Sequence, residues 1–540
     1  MSESPETPAT SENPIVAQVA AGYAFEGRAL ELGGLMLDAD TLVPTPVRIP
    51  LGMLNRHGLV AGATGTGKTK TLQLLAEQLS TLGVPVFAAD IKGDLSGVSV
   101  PGEGGEKITA RAAGVGQAWQ AKQFPVEFFA LGGEGIGIPL RVTMSSFGPV
   151  LLAKVLGLNA TQESSLGLVF HYADKAGLPL LDLADLRAVV QYLTSAEGKA
   201  DLKELGGLSS ATAGVILREL INFSDQGADA FFGEPEFDSA EFLKTAPDGR
   251  GVISLVELPN LQDRPAVFST FLMWLLADLF NDLPEVGDLD QPKLVFFFDE
   301  AHLLFKDASK DFLAQITQTV RLIRSKGVGV FFVTQSPTDV PDDVLAQLGS
   351  RVQHQLRAHT PNDAKALKQT VNTYPHSGYA DLGAVITSLG IGEAVVTVMN
   401  ERGAPTPVAW TRLRAPESLM GAAEAATMEA AVKASPLYAT YATSIDRESA
   451  REILAQKLEA GADKAAAEAA GGTGTAPTDG LEPHQREAEK LAKRKPAGKA
   501  PKPEKSVVDQ VVQSGAFKDF MRTAAREIAR GMFGTGRRRR

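Results

Sequence analysis

The sequence predicts an α/β protein whose core is a mostly parallel sheet with helices packed on both faces. Three observations lead there. Short, largely apolar runs of strand length recur at 58–61, 84–89, 251–255, 293–298 and 328–334, the pattern of strands buried on both sides. Stretches of helical periodicity lie between them, so strand and helix alternate along the chain. The first run leads straight into the glycine-rich stretch Gly62-Ala63-Thr64-Gly65-Thr66-Gly67-Lys68-Thr69, which opens a helix expected over 70–82.

Taken in order, residues 1–14 are acidic and rich in Ser and Pro, and read as a disordered lead without the apolar stretch of a secretory signal. Residues 15–55 carry short alternating runs punctuated by Gly33, Gly34, Pro44 and Pro46, and predict small strands. The first part of the α/β core follows over 56–144. Residues 145–245 show helical periodicity with little strand signal and predict a helical insertion. The core resumes over 246–415. Its most apolar helical stretch, 267–276, is too short for a membrane span, which needs about 20 residues. An Ala- and Glu-rich helical region is expected over 416–470, a flexible linker over 471–505, and a basic amphipathic helix ending in four arginines over 506–540.

Composition narrows the chemistry. The 540 residues include no cysteine, which excludes disulfides, thiolate metal sites and cysteine nucleophiles, and points to the cytoplasm. The net charge of −11 is unevenly placed. From Leu491 onward Lys and Arg outnumber Asp and Glu by 14 to 4, so the preceding residues carry −21. That basic tail suits nucleic-acid phosphates, an anionic membrane surface or an acidic neighbouring subunit.

The glycine-rich stretch matches G-x-x-x-x-G-K-[ST] in full, after an apolar run and before a helix. Its glycines let backbone amides turn inward around a β-phosphate, Lys68 can reach the β- and γ-oxygens of ATP, and Thr69 can supply a Mg²⁺ ligand. The run 294–298 ends in Asp299 and Glu300, at the strand edge where open α/β sheets bind ligands. There Asp299 would hold Mg²⁺ through water, and Glu300 would orient or deprotonate the attacking water. Gln335, after the next strand, can touch the γ-phosphate or that water. Asp90, ending the second strand, can orient Lys68, water or Mg²⁺, or can simply build a turn. Arg321 and Arg324 share a helix face, and Arg351 opens the strand beyond Gln335. Any of these arginines can act on a neighbouring subunit's nucleotide or sit in an ordinary salt bridge.

The stretches Asn55-Arg56-His57-Gly58, Ala89-Asp90-Ile91-Lys92-Gly93-Asp94-Leu95, Phe298-Asp299-Glu300-Ala301-His302 and Thr334-Gln335-Ser336-Pro337 together resemble the HerA/FtsK superfamily of P-loop ATPases. Within it the chain is most similar to the HerA-like helicase family, in its YjgR-like branch. The resemblance implies a RecA-like fold and a hexameric ring with ATP at subunit boundaries. It makes Lys68, Thr69, Asp299 and Glu300 the nucleotide and Mg²⁺ residues, puts Asp90 and Gln335 at polar catalytic positions, and makes Arg324 the arginine acting in trans. It also implies a DNA translocase working with a nuclease. The barrel-like N-terminal region of HerA proper is not evident in this sequence, and the insertion at 145–245 is a further departure. An ATP-switched scaffold acting on protein or membrane is the alternative expectation.

Overall fold

Phe296, Phe297 and Phe298 stand in succession and all three are fully buried. Alternate residues of a strand face opposite sides, so such a run needs cover on both. The computed structural model, which describes residues 13–471 apart from 132–134, 203–205, 259–264, 288 and 306–309, supplies it. On each face the rings stand beside cross-strand partners, Phe296 by Phe87 at 5.0 Å between ring centroids and Phe297 by Phe331 at 5.4 Å. The helix Pro265–Asp282 covers the first face, with Phe271 6.1 Å from Phe87.

The strands are β1 (Ala29–Met36), β2 (Leu42–Pro50), β3 (Gly58–Ala61), β4 (Val86–Asp90), β5 (Val126–Leu131), β6 (Ile138–Leu140), β7 (Ile253–Glu257), β8 (Leu294–Phe298), β9 (Val328–Thr334), β10 (Ser350–Gln353), β11 (Glu393–Thr397) and β12 (Ala409–Leu413). They form one 12-stranded sheet in the order β2-β1-β12-β11-β10-β3-β9-β8-β4-β7-β5-β6. Every pair from β10 to β6 is parallel, and every pair from β10 outward to β2 is antiparallel. This is a RecA-like α/β core.

Five of the strands were foreshadowed by apolar runs. β5, β6, β11 and β12 were not: β6 has three residues, Glu127 interrupts β5 and Thr411-Arg412 interrupts β12, and the apolar run of β11 is only 394–396. The N-terminal strands β1 and β2 extend the same sheet through β12, where Gly33 faces Leu413. A helix, Pro14–Gly22, precedes them, with Asn13 capping Ile15 N and Pro14 at the first turn. The alternation that marks the strands carries no sign of it.

Between β6 and β7 lie the helices Met144–Val155, Ala160–Lys175, Leu183–Thr194, Ala196–Asp201 and Ser210–Asp225. Two begin in reciprocal capping boxes, Asn159 with Gln162 and Asp182 with Asp185. The helix Pro265–Asp282 buries Phe268, Phe271, Leu272, Trp274, Leu275 and Leu279. Beyond the sheet come helices Ala425–Ala434 and Ala450–Gly471. The linker and the basic terminal helix expected over 471–540 lie outside the described residues, except for Gly471. Among the described residues no helix is long and apolar enough to cross a membrane.

Candidate nucleotide-binding site

Parallel register decides which loops share an edge. β3 pairs with β9 so that Ala61 faces Thr334, with β10 so that it faces Gln353, and β9 pairs with β8 so that Phe332 faces Phe298. The loop Gly62–Gly67, the pair Asp299–Glu300, Gln335 and the 354–357 segment therefore leave the sheet at one carboxyl edge. β3 and the next strand in sequence, β4, are separated by β9 and β8, which opens the crevice where such sheets take ligands.

The loop is held from both sides. Ala63 N donates to Gln355 O (2.8 Å), and Gly392 N to Thr66 O (3.1 Å). A Cβ on Gly62 would lie 2.5 Å from His354 Cβ, so only glycine fits there. Gly65 and Gly67 adopt φ of 83° and 111°, which turn the chain into the helix Lys68–Thr81. Lys68 is buried, and its ammonium donates to Gly62 O (2.6 Å) and Ala63 O (3.2 Å). Burial pushes its pKa below the usual lysine value. Thr69, half-buried, follows at the first turn.

Asp299 is 2% exposed; its Oδ1 accepts from Glu300 N (2.9 Å), and its Oδ2 has no partner among the described residues. Burial raises its pKa to about 6. Glu300, at φ 46°, has Oε1 paired with Lys92. Its Oε2 lies 3.5 Å from Gln335 Nε2 and 3.2 Å from His302 Nδ1, the latter too far off line to be a hydrogen bond. Burial works against the Glu300 carboxylate, but the hydrogen bond and charge of Lys92 outweigh it and hold its pKa below the ordinary range.

These residues fit MgATP. A partnerless buried carboxylate oxygen, a lysine turned onto its own loop's carbonyls and a glycine-shaped cradle suit a phosphate with its cation. No group of three or more His, Asp or Glu among the described residues is arranged to hold a metal unaided. Beside the loop opens a cleft of about 470 Å³ lined by Ala63, Thr64, His302, Gln335, Arg357 and His359 among others.

Asp90 ends β4 at the same edge, but its contacts are those of a turn carboxylate. Oδ1 accepts from the amides of Lys92 (3.1 Å) and Gly93 (2.8 Å), and Oδ2 from that of Leu95 (2.8 Å). Burial raises its pKa to about 6. No contact joins it to Lys68. Arg324 lies at the opposite edge, in the turn Arg324–Lys326 before β9, where its charge acts on His57. Arg351 opens β10 at that far edge and donates to Thr373 O at 3.1 Å.

Three residues at the edge were given no role by the motifs. Lys92 and Arg357 follow strands that reach this edge, and Arg357 donates weakly to Thr64 O (3.4 Å). His354, fully buried beneath the loop, contacts Thr71 Oγ1 at 2.9 Å, and burial pushes its pKa down to about 4. Position just past a buried strand is the signal that would have found them.

The family described as helicase HerA-like, C-terminal, matches residues 36–540. The chain belongs to that HerA-like family. It is 23% identical over 357 residues to the DNA double-strand break repair helicase HerA of Saccharolobus solfataricus, spanning 65% of this chain and 63% of that protein. A protein of the same description from Sulfolobus acidocaldarius is 23% identical over 359 residues, spanning 65% and 64%. The HerA-like chain thus spans less than two thirds of the length of these relatives. Among solved structures it is similar to the bacterial conjugative coupling protein TrwBdeltaN70, with 17% identity, a TM-score of 0.48 and coverage of 75% of this chain and 94% of that one. VirB4 of Thermoanaerobacter pseudethanolicus aligns at 15% identity and a TM-score of 0.46, covering 72% and 97%.

Proposed function

We propose that this HerA-like chain is a motor ATPase that binds and hydrolyses MgATP, works as a homo-oligomeric ring, a hexamer being favoured, and moves along DNA in the cytoplasm. The observation that carries the ATPase reading is the convergence of Lys68, Asp299, Glu300 and Gln335 on one sheet edge from three separate strands. Bound MgATP would supply the scissile phosphoanhydride and a cation to offset charge on the transferred group. The amides of Gly62–Thr69 and the Lys68 ammonium would hold the phosphates, and Thr69 and Asp299 the Mg²⁺. Glu300 would take the proton of the attacking water, with Gln335 beside it. Arg324 would reach a neighbouring subunit's nucleotide, since it stands at the edge away from its own.

DNA as the load, and a nuclease as partner, rest on family membership and on the names of the HerA relatives. The acidic body, −21 before Leu491, favours the second reading, an ATP-switched scaffold acting on protein or membrane. Glu300→Gln should lower turnover by about 10²–10⁴-fold with ATP binding intact; undiminished hydrolysis would sink the assignment. ATPase rates with and without single- and double-stranded DNA, alongside mass in solution with ATP, test the rest. Stimulation by DNA in a ring supports the motor. A flat response at all salt concentrations, with stimulation by a protein or lipid instead, supports the scaffold.

A further inference from the structure

Glu300 has no oxygen without a neighbour. Lys92 takes Oε1, and Gln335 and His302 face Oε2. The pairing with Lys92 is the strong one, and a carboxylate whose charge an ammonium already offsets is a weaker base toward water, so the base needs a way to be released. Of its two hydrogen-bond partners, Lys92 is the charged one, and its side chain has room to move. Its backbone is fixed by the turn on Asp90, while its side chain stays 37% exposed. It stands at the same edge as Lys68, with its charge felt by Asp299 as well as Glu300. Glu300 therefore has two ammonium groups beside it. One, Lys68, belongs to the loop; the other has only carboxylates to serve while no nucleotide is bound.

We propose that Lys92 is a positioning residue that senses the terminal phosphate of a nucleoside triphosphate. In the resting state it pairs with Glu300. The γ-phosphate, more negative than a carboxylate, draws the ammonium off Glu300 and leaves that carboxylate open to water. A diphosphate lacks the terminal group and leaves the pair in place. Lys92 thereby couples the presence of the hydrolysable group to the readiness of the base. This rests on the reading of Glu300 and the phosphate loop given above.

The test is affinity of the full chain for MgATPγS and MgADP, in wild type and in Lys92→Ala, Lys92→Arg, Glu300→Gln and the Lys92→Ala/Glu300→Gln double variant. Lys92→Ala is expected to weaken MgATPγS about tenfold, the worth of one charged hydrogen bond, and to leave MgADP within about twofold. Lys92→Arg should restore the preference. Glu300→Gln should tighten MgATPγS by freeing Lys92, and that gain should vanish in the double variant. Equal weakening of both nucleotides by Lys92→Ala, or a Glu300→Gln gain that persists in full without Lys92, overturns the proposal. Should Lys92→Ala fail to fold, Lys92→Gln gives the same comparison. Failure of the underlying reading looks different: Lys68→Ala would then bind MgADP as wild type does, or Glu300→Gln would still turn over ATP.

Discussion

His57 holds φ 62° and ψ 172°, a region essentially reserved for glycine and costing about 1–3 kcal/mol in other residues. It is held there by burial and by its Nδ1, which accepts from Val330 N at 3.1 Å. Burial pushes its pKa down to about 4. Above the unfolded value of about 6.5 the ring is neutral in both states, and its stability contribution is complete. As pH falls from there toward 4, the unfolded chain takes up a proton that the folded one refuses, so stability is lost. His57→Gly removes both the titration and the strained side chain. Relative to wild type, the variant's denaturation free energy should rise by about 2–3 kcal/mol between pH 7 and pH 4. A gap that stays constant with pH would mean His57 is not the titrating group. Comparison with a variant matters, because Asp90 and Asp299, both raised to about 6, take up protons on folding in the same window and work in the opposite direction.

The glycine-rich loop Gly62–Gly67 depends on the helix it opens, Lys68–Thr81, and that helix is clamped along its far flank. Glu77, 3% exposed, accepts from the amides of Glu417 (2.8 Å) and Ser418 (3.1 Å) and from the Ser418 hydroxyl. Gln73 Nε2 donates to Ser418 Oγ (2.6 Å) and Leu419 O (2.9 Å). The segment after β12 is thus tied down by polar groups that water cannot reach. Glu77→Ala strands two buried amides and a hydroxyl, and should cost about 3 kcal/mol, read from the midpoint of chemical denaturation. A loss below about 1 kcal/mol would show that the clamp is replaced by water. At this scale the sequence was only half legible. Residues 416–421 fall in a stretch whose composition suggests helix, yet they form an irregular segment with bends and a bridge from Ser418 to Pro101, because Glu77 and Gln73, more than 300 positions away, offer them partners.

Across the whole molecule the sheet separates the candidate nucleotide site from Arg324. β9 runs six residue steps from Val328 to Thr334, about 20 Å at 3.3 Å per residue, with Gln335 at one end and Arg324 beyond the other. An arginine so placed is out of reach of its own chain's candidate site, so the catalytic role proposed for it requires another copy of the chain. Glu300→Gln and Arg324→Ala should therefore each be inactive alone, yet regain a fraction of wild-type turnover when mixed, since some interfaces then join an intact Arg324 to an intact Glu300. Mixtures that stay inactive, while each variant still assembles with wild type, would remove Arg324 from the site.

The local sequence determined what depends on neighbours along the chain. The loop Gly62–Thr69 and the pair Asp299–Glu300 are each contiguous, so each is legible from residues that stand next to one another at the end of a buried strand. Full burial likewise announced β3, β4, β7, β8 and β9, because a strand covered on both faces must be apolar throughout. Tertiary structure decided the rest, where a residue's partner lies far away in sequence. It brought Lys92 across 208 positions to Glu300, set His354 beneath Gly62, and gave both oxygens of Asp90 to backbone amides of its own turn. Pairing between strands, which no periodicity encodes, set which loops share the edge with ATP's expected phosphates and which face the other way.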